Sequence, residues 1–143
     1  MATRKIPRGI RNNNPLNVRV GNNWLGEVTN PTDNVFEQFQ SMYYGCRAAF
    51  IILRTYIVRH KVKTIDGIIR RWAPSNENNT EAYIHYVCRV TGMGRQDKLA
   101  FLDHDRMIRL FNAMCLVECG QTVDPHVVEM AYDTASKALY YQQ

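Results

Sequence analysis

The residues best suited to ligand chemistry lie near the N-terminus, where arginines, asparagines and a proline occur together. Residues 8–19 read RGIRNNNPLNVR. Asparagine amides donate and accept hydrogen bonds and favour side-chain turns, and Pro15 biases Asn14 toward extended backbone. The segment is therefore predicted to present polar groups to a ligand. From these residues alone, the alternative is an ordinary asparagine-rich turn.

Carboxylates form a second set of residues that could perform chemistry. Cleavage of a glycosidic bond needs a general acid whose pKa is raised by an apolar pocket, and a second carboxylate or a substrate group completes the reaction. Glu77 is a candidate for this acid, because two aromatic residues and a proline near it in the sequence could shield it from water. Glu27 and Glu37 are the alternatives. In the alternative, structural interpretation, Glu77 lies at the start of a helix, where the helix dipole favours the ionised carboxylate.

Aromatic and amide side chains in the first 83 residues are candidates for sugar binding. Aromatic rings stack on pyranose rings, while amide and guanidinium groups form hydrogen bonds with hydroxyl and N-acetyl groups. The candidate substrate-binding residues are Arg11, Asn12, Asn13, Asn14, Asn17, Trp24, Trp72 and Tyr83. Trp72 also has a structural interpretation, because its helical spacing from Ile68 and Ile69 is typical of a core residue.

The four cysteines and four histidines do not indicate a metal site or a thiol nucleophile. No C-x-x-C pair occurs, and the histidines are scattered along the chain. Cys115 and Cys119 are one helical turn apart, and this spacing predicts free thiols on a buried helix face. Cys46 and Cys88 are also predicted to be free thiols. We expect neither a metal nor a cofactor.

The elements that must position these residues begin with a short β element. Apolar and polar residues alternate over 16–20 and again over 35–39, and the glycine and asparagines at 21–23 are typical of a turn. This pattern predicts a small hairpin or a three-stranded sheet near the N-terminus.

Five helices are predicted to follow this β element. Ser41 caps the first, which is apolar nearly all round and should form the buried centre of the fold. Gly45 in its first turn indicates close contact with the N-terminal segment. Asn78 and Glu81 have the spacing of a capping box, and glycines after the third and fourth helices are typical of left-handed C-caps. The predicted helices cover residues 42–60, 65–72, 79–91, 103 or 104 to 119, and 125–140.

Length, charge and hydropathy limit the class of protein. A chain of 143 residues is long enough for one domain with a substantial core and short for two, so residues 1–143 are expected to form a single domain. The net charge of +5 favours a polyanionic partner, which could be nucleic acid, a membrane surface or an anionic cell-wall polymer. No apolar run is long enough to span a bilayer, and the N-terminus lacks the apolar core of a signal peptide.

Several motifs, in the same order along the chain, resemble those of a phage-associated, lysozyme-like family. Members of that family begin with R-G-I-R-N-N-N-P-x-N-I-R and continue into W-x-G-Q or W-x-G-E. The matching segments here are RGIRNNNPLNVR at 8–19, NWLGE at 23–27, FEQFQS at 36–41, Gly45 with Arg47 and Ala48, TIDGII at 64–69, and RWAPSNENNTEAYI at 71–84. The resemblance covers residues 8 to about 92 and leaves about 93–143 as a C-terminal helical extension.

The resemblance implies a mostly helical α+β fold of the lysozyme-like class, with about five helices and a small N-terminal β element. It also implies a peptidoglycan-degrading glycosidase or lytic transglycosylase of phage origin, used in cell-wall lysis or penetration. Glu77 is the first candidate for its general acid, because it lies in the matching segment 71–84. Its partner would be the glycan strands of peptidoglycan. Such a protein would be made in the host cytoplasm without a signal peptide and would act at the bacterial cell wall or within a virion.

Two other functions stay open. One is a non-catalytic virion structural protein with a lysozyme-like fold that binds peptidoglycan and contacts other virion proteins. It is favoured because lysozyme-like folds carry their catalytic glutamate ahead of the small sheet, and Glu27 is the only acid before Asp33 in this chain. The other, ranked third, is a nucleic-acid-binding protein, which the basic residues crowded into the first 19 positions suggest.

Overall fold

The computed structural model describes residues 5–141 of the chain, with side chains as far as Lys137. Six α-helices and one π-helical turn form the regular structure of this part of the chain. They are α1 (Arg8–Arg11), α2 (Met42–Arg54), the π turn Thr55–Arg59 that continues α2, α3 (Ile65–Trp72), α4 (Thr80–Thr91), α5 (His104–Cys119) and α6 (Pro125–Tyr141). No helix within residues 5–141 is long and apolar enough to cross a membrane.

The prediction of a lysozyme-like α+β fold with a small N-terminal β element is wrong. Residues 5–141 contain helices and loops but no strand or sheet. Extended segments meet only at isolated β-bridges, which pair Arg19 with Phe36, Glu27 with Phe39, and Thr64 with Lys98. The two segments with alternating apolar and polar residues, 16–20 and 35–39, do lie side by side, but their pairing does not continue into a ladder.

Side-chain hydrogen bonds hold the N-terminal segment together in place of a sheet. Asn14 is fully buried, and its amide nitrogen donates to the carbonyls of Val18 (2.9 Å) and Glu37 (3.0 Å). Its side-chain oxygen accepts from the Val18 amide at 2.8 Å. Asparagine, glycine, proline and threonine also interrupt both extended runs after a few residues. The sheet is absent because polar side chains take backbone groups that a ladder would otherwise pair.

Helix α2 is the centre of the core, as its apolar composition predicts. Phe50 is fully buried, and its ring stacks on Phe111 of α5 with 4.4 Å between centroids. Helix α6 packs along α2, while α4 packs between α3 and α5. The predicted limits, 42–60, agree with α2 and the π turn to within one residue. The π-helical turn begins at Thr55, whose hydroxyl donates to the Ile51 carbonyl at 2.9 Å. The backbone N–H of Thr55 donates to the same carbonyl oxygen, so the side chain competes with the regular α-helical hydrogen bond.

The predicted limits of the other four helices are confirmed to within one residue. The side chains of Thr64, Asn79 and Asp103 accept hydrogen bonds from backbone amides in the first turns of α3, α4 and α5. Ser41 precedes α2 as predicted, but its side chain makes no capping hydrogen bond. Gly92 and Gly120 end α4 and α5 in the left-handed conformation. Local capping chemistry therefore accounts for most of the helix boundaries.

The predicted capping box of Asn78 and Glu81 is wrong by one residue. Asn79 is the cap of α4, because its side-chain oxygen accepts from the Ala82 amide at 3.1 Å. The Asn78 amide donates to the carbonyl of Pro74 at 3.2 Å. Glu81 pairs with arginines of α3 and of the loop after α4, so it joins elements instead of capping its own helix.

The N-terminal segment packs closely on α2 and α5. A Cβ atom at Gly45 would lie 1.8 Å from the carbonyl oxygen of Asn13. A Cβ atom at Gly9 would lie 2.8 Å from the Asn14 carbonyl oxygen and 3.3 Å from the Cys119 Cβ. The contact predicted from Gly45 is thus confirmed, since any larger residue there would push the segment off α2.

All four cysteines are free thiols, as predicted, and Cys46, Cys115 and Cys119 are buried in the core. Burial, with a smaller contribution from nearby Cys119, raises the pKa of the Cys46 thiol to about 12. Cys88 is half-buried. The thiols therefore act as small apolar core groups.

Candidate ligand-binding groove

A groove of about 820 Å³ lies between the N-terminal segment and the region formed by α2, the π turn and α3. Its lining includes three partly exposed aromatic side chains, Trp24, Tyr56 and Trp72. Tyr56 and Trp72 meet edge to face with 6.0 Å between ring centroids. The indole N–H of Trp72 donates to the Leu16 carbonyl at 3.2 Å, which fixes that ring. Both tryptophans of the chain therefore line one cavity.

Charged and amide groups line the groove beside these rings. Arg19 Nη2 lies 2.9 Å from Glu77 Oε2, and both side chains are about half exposed. The guanidinium carbon of Arg71 lies 5.1 Å from the Tyr56 ring centroid. The amide side chains in the lining are Asn17, Asn22 and Asn23. The groove thus combines stacking faces with hydrogen-bond donors and acceptors, a combination suited to a polar ring-shaped ligand.

Glu77, the first candidate for a general acid, lines this groove. It belongs to the connector between α3 and α4, and its ion pair with Arg19 ties that connector to the N-terminal segment. The side chain is half exposed, so it lacks the apolar surroundings that keep a general acid protonated. A catalytic role for Glu77 stays a prediction.

Glu27 and Glu37, the alternative acids, form a carboxyl pair that does not line the groove. Both residues are hydrogen-bonded to the backbone of residues that do line it. Glu27 Oε1 accepts from the Trp24 amide at 3.0 Å, and the Glu37 amide donates to the Val18 carbonyl at 2.9 Å. Glu37 is 7% exposed, and burial raises its pKa to about 7, to which the hydrogen bond with Glu27 and the charge of Glu27 contribute. The Glu37 carboxyl therefore ionises less readily than that of an exposed glutamate.

Three buried polar atoms in this region have no hydrogen-bond partner in the described part of the chain. They are Oδ1 of Asn17, Oε2 of Glu37 and the indole nitrogen of Trp24. Buried polar groups are normally satisfied, so all three atoms have hydrogen-bonding capacity left for water or a ligand.

Arg11 and Asn12 line a separate polar hollow of about 350 Å³. The Asn12 amide nitrogen donates to Asp33 Oδ2 at 2.9 Å, and its oxygen accepts from Gln38 at 2.9 Å. Arg8 binds the same Asp33 carboxylate with two hydrogen bonds of 2.6 and 2.7 Å. These bonds from Arg8, against the opposing effect of burial, hold the pKa of Asp33 well below its usual range.

Three other residues predicted to bind substrate do not line the groove. Asn13 adopts φ 53° and donates to the Phe39 carbonyl at 3.0 Å, while Asn14 makes the buried bonds already described. Tyr83 is buried, and it borders a different hollow between α4 and α5. Asn17, Trp24 and Trp72 are the predicted binding residues that the fold brings together with Glu77.

Glu118 on α5 is a largely buried carboxylate that sequence reasoning missed. Its oxygens accept from the Asn17 amide and the Tyr83 hydroxyl, both at 3.0 Å. Burial raises the pKa of Glu118, although these two hydrogen bonds oppose the rise. One signal was present in the sequence: an acid in the last turn of an apolar helix is unfavourable for the helix dipole and needs another partner.

Tyr56 and Arg71 were also missed as groove residues. They lie 15 positions apart in sequence, and the π turn places Tyr56 beside the end of α3. Tyr56 follows an apolar helix and Arg71 precedes Trp72, so neither carries a motif of its own.

Sequence similarity relates the chain to a bacteriophage protein. It is 48% identical over 96 residues to Protein P5 of Pseudoalteromonas phage PM2. The match covers 64% of this chain and 60% of that protein. No family model matches the chain.

Proposed function

We propose that this protein is a bacteriophage component that binds the glycan strands of peptidoglycan in the groove, as a non-catalytic part of the virion. The observation that carries the proposal is the placement of Trp24, Tyr56 and Trp72 in one groove beside Asn17 and the Arg19–Glu77 pair.

The chemistry of the groove suits a sugar polymer. The aromatic rings offer faces on which pyranose rings stack, and the asparagine and charged side chains can bond hydroxyl and N-acetyl groups. The volume of about 820 Å³ lies within the range of roughly 300–1,000 Å³ that is usual for ligand sites. A non-catalytic role is consistent with the exposed, ion-paired state of Glu77.

The similarity to Protein P5 of phage PM2 supports the phage origin in this proposal. Peptidoglycan is the polymer implied by the N-terminal motifs, and it is a barrier that a phage must cross. The net charge of +5 favours association with an anionic wall polymer.

A sedimentation assay with purified, insoluble peptidoglycan tests the binding. The wild-type protein is expected to pellet with the wall, and Trp24→Ala should reduce the bound fraction at least fivefold, because it removes a stacking face. Tyr86→Ala is the matched control, since Tyr86 is a partly exposed aromatic residue of α4 outside the groove. Circular dichroism must show that both variants stay folded. Equal binding by Trp24→Ala and the wild type would contradict the proposal.

Mass spectrometry of purified phage particles tests the virion assignment. The chain should be present in particles of a phage that encodes it, at a constant ratio to the capsid protein through a density gradient. Its presence in the infected-cell lysate alone would contradict this part of the proposal.

A second candidate function, glycosidic cleavage, is favoured by the buried Glu37. Its carboxyl group has a pKa near 7, as a general acid at neutral pH requires. The Glu27 and Glu37 carboxyls are in direct contact, so no sugar fits between them as in a two-carboxylate mechanism. Cleavage would therefore need the acetamido group of the substrate to complete the reaction.

The soluble products released from purified peptidoglycan distinguish binding from cleavage. If Glu37 is a general acid, mass spectrometry should detect reducing-end or anhydro fragments with the wild type and at least a hundredfold fewer with Glu37→Gln. Glu77→Gln separates the two candidate acids in the same assay. No fragments from the wild type would leave binding as the function of the groove.

A further inference from the structure

Arg71 is a groove residue whose charge has no carboxylate partner among residues 5–137. The other arginine of the groove, Arg19, is paired with Glu77, and the preceding Arg70 binds Asp66 and Glu81. Arg71 is exposed at the end of α3, with its guanidinium carbon 5.1 Å from the Tyr56 centroid. The groove therefore contains a positioned cation that no carboxylate of residues 5–137 neutralises.

The contact with Tyr56 makes this cation a suitable anion receptor. The Arg71 guanidinium lies over the Tyr56 ring and also hydrogen-bonds the Tyr56 side chain, which holds the cation in place. A guanidinium has five N–H donors, so others are left to match the two oxygens of a carboxylate. Charge-assisted bonds of this kind are stronger than bonds between neutral groups. Tyr56 and Trp72 are themselves in edge contact, so a sugar stacked on Trp72 would lie beside the Arg71 guanidinium.

We infer that the groove selects a glycan that carries carboxylates, with Arg71 as the residue that binds the carboxylate. This inference rests on the proposed glycan-binding function and specifies its substrate class as N-acetylhexosamine chains bearing acidic groups. In peptidoglycan, such a group is either the lactyl carboxylate of an unsubstituted muramic residue or a free carboxylate of the peptide stem. Neutral chains of N-acetylglucosamine lack both groups.

The fluorescence of the two tryptophans provides a direct assay, because both line the groove. The titrations use three ligands matched in sugar length: a neutral N-acetylglucosamine oligomer, a peptide-free glycan with lactyl carboxylates, and a muropeptide with stem carboxylates. We expect at least one acidic ligand to bind the wild type about tenfold more tightly than the neutral oligomer. The ligand that shows this preference identifies which carboxylate is bound.

Two arginine variants test the assignment to Arg71. In Arg71→Gln the preference should fall below twofold, because the amide retains no charge. Arg89→Gln should keep the full preference: Arg89 lies 5.5 Å from the Tyr86 centroid on α4, the same kind of contact outside the groove. Thermal unfolding of both variants confirms that they are folded.

The outcomes separate this inference from the function on which it rests. Equal binding of neutral and acidic ligands by the wild type would overturn the inference and leave glycan binding intact. A preference that survives in Arg71→Gln, or is lost in Arg89→Gln, would overturn the role of Arg71. Absence of binding by all three ligands would overturn both proposals.

Discussion

At the scale of single residues, Glu37 is the clearest departure from ordinary side-chain behaviour. Its carboxyl group is buried against Glu27, and it is held there by backbone contacts on both sides of the pair. A carboxyl in such a place is neutral when protonated but adds a buried like charge when it ionises. The stability of the folded protein therefore depends on whether Glu37 is protonated.

The free energy of unfolding should fall as the pH rises from about 4.5 to about 7. The folded protein holds the Glu37 proton over this window, because its pKa is about 7 against 4.5 for an ordinary glutamate. We expect a loss of about 1–2 kcal/mol, less than the full linkage value because solvent and side-chain relaxation screen the charge. Urea unfolding at pH 5.0, 6.0 and 7.5 measures it.

Glu37→Gln should remove most of this pH dependence, while Glu77→Gln should keep it. A residual slope of the same sign is expected from Glu118, whose pKa burial also raises. Asp33 acts in a different window, since the stability from its lowered pKa is lost only in more acidic solution. An unchanged slope in Glu37→Gln would contradict the assignment.

At the scale of elements, the fit of the N-terminal segment against α2 sets the shape of the groove. This segment supplies the wall with Asn17, Arg19 and Trp24, while the opposite wall comes from the π turn and α3. Gly45 lets the segment approach, because any Cβ there would overlap the Asn13 carbonyl. The groove therefore depends on a helix residue that forms no part of its lining.

Gly45→Ala should destabilise the protein by about 3 kcal/mol, because the new methyl group must displace backbone atoms of the segment. In an ordinary helix interior the same change stabilises by about 1 kcal/mol, so the sign is diagnostic. Guanidinium unfolding measures the difference. Gly92→Ala is the control, because a Cβ atom at Gly92 would meet open space. The substitution should still cost about 1 kcal/mol, because Gly92 has a left-handed φ of 74°. A stabilising effect of Gly45→Ala would contradict the close contact.

At the scale of the whole molecule, a partly buried polar network joins the N-terminal segment to two helices. Glu118 of α5 accepts from Asn17 of the segment and from Tyr83 of α4. Asn17 also donates to the Glu118 carbonyl at 3.3 Å. The network links parts of the chain that are about 100 residues apart, so the groove wall is attached to the helical core by long-range bonds.

Asn17→Gly should lower the free energy of unfolding by about 2 kcal/mol, because it removes the bonds to Glu118 and leaves a buried carboxylate short of a donor. Glycine tolerates the φ of 53° at this position, so backbone strain does not add to the effect. Hydrogen exchange should accelerate over residues 8–19 more than in α5 and α6.

Lys61→Gly is the matched control for this change, since Lys61 is exposed and adopts φ 58°. It should leave stability unchanged or slightly increased, because glycine relieves the left-handed backbone. Equal losses in Asn17→Gly and Lys61→Gly would show that the network contributes little.

The sequence by itself determined the features that depend on neighbours along the chain. Helix limits followed from capping side chains and terminal glycines, and the contact at Gly45 followed from the cost of glycine in a helix. The spacing of Cys115 and Cys119 indicated a buried helix face. These features were predictable because each arises within one or two helical turns.

The tertiary structure alone decided the features that depend on long-range burial. The alternating runs near the N-terminus predicted a sheet, but buried side chains such as Asn14 bind the backbone groups that a ladder needs. The meeting of Glu27 with Glu37, and of Asn17 with Glu118, has no periodic signature. The pKa of an acid and the position of a groove depend on which surfaces exclude water, and this is set only when distant segments pack together.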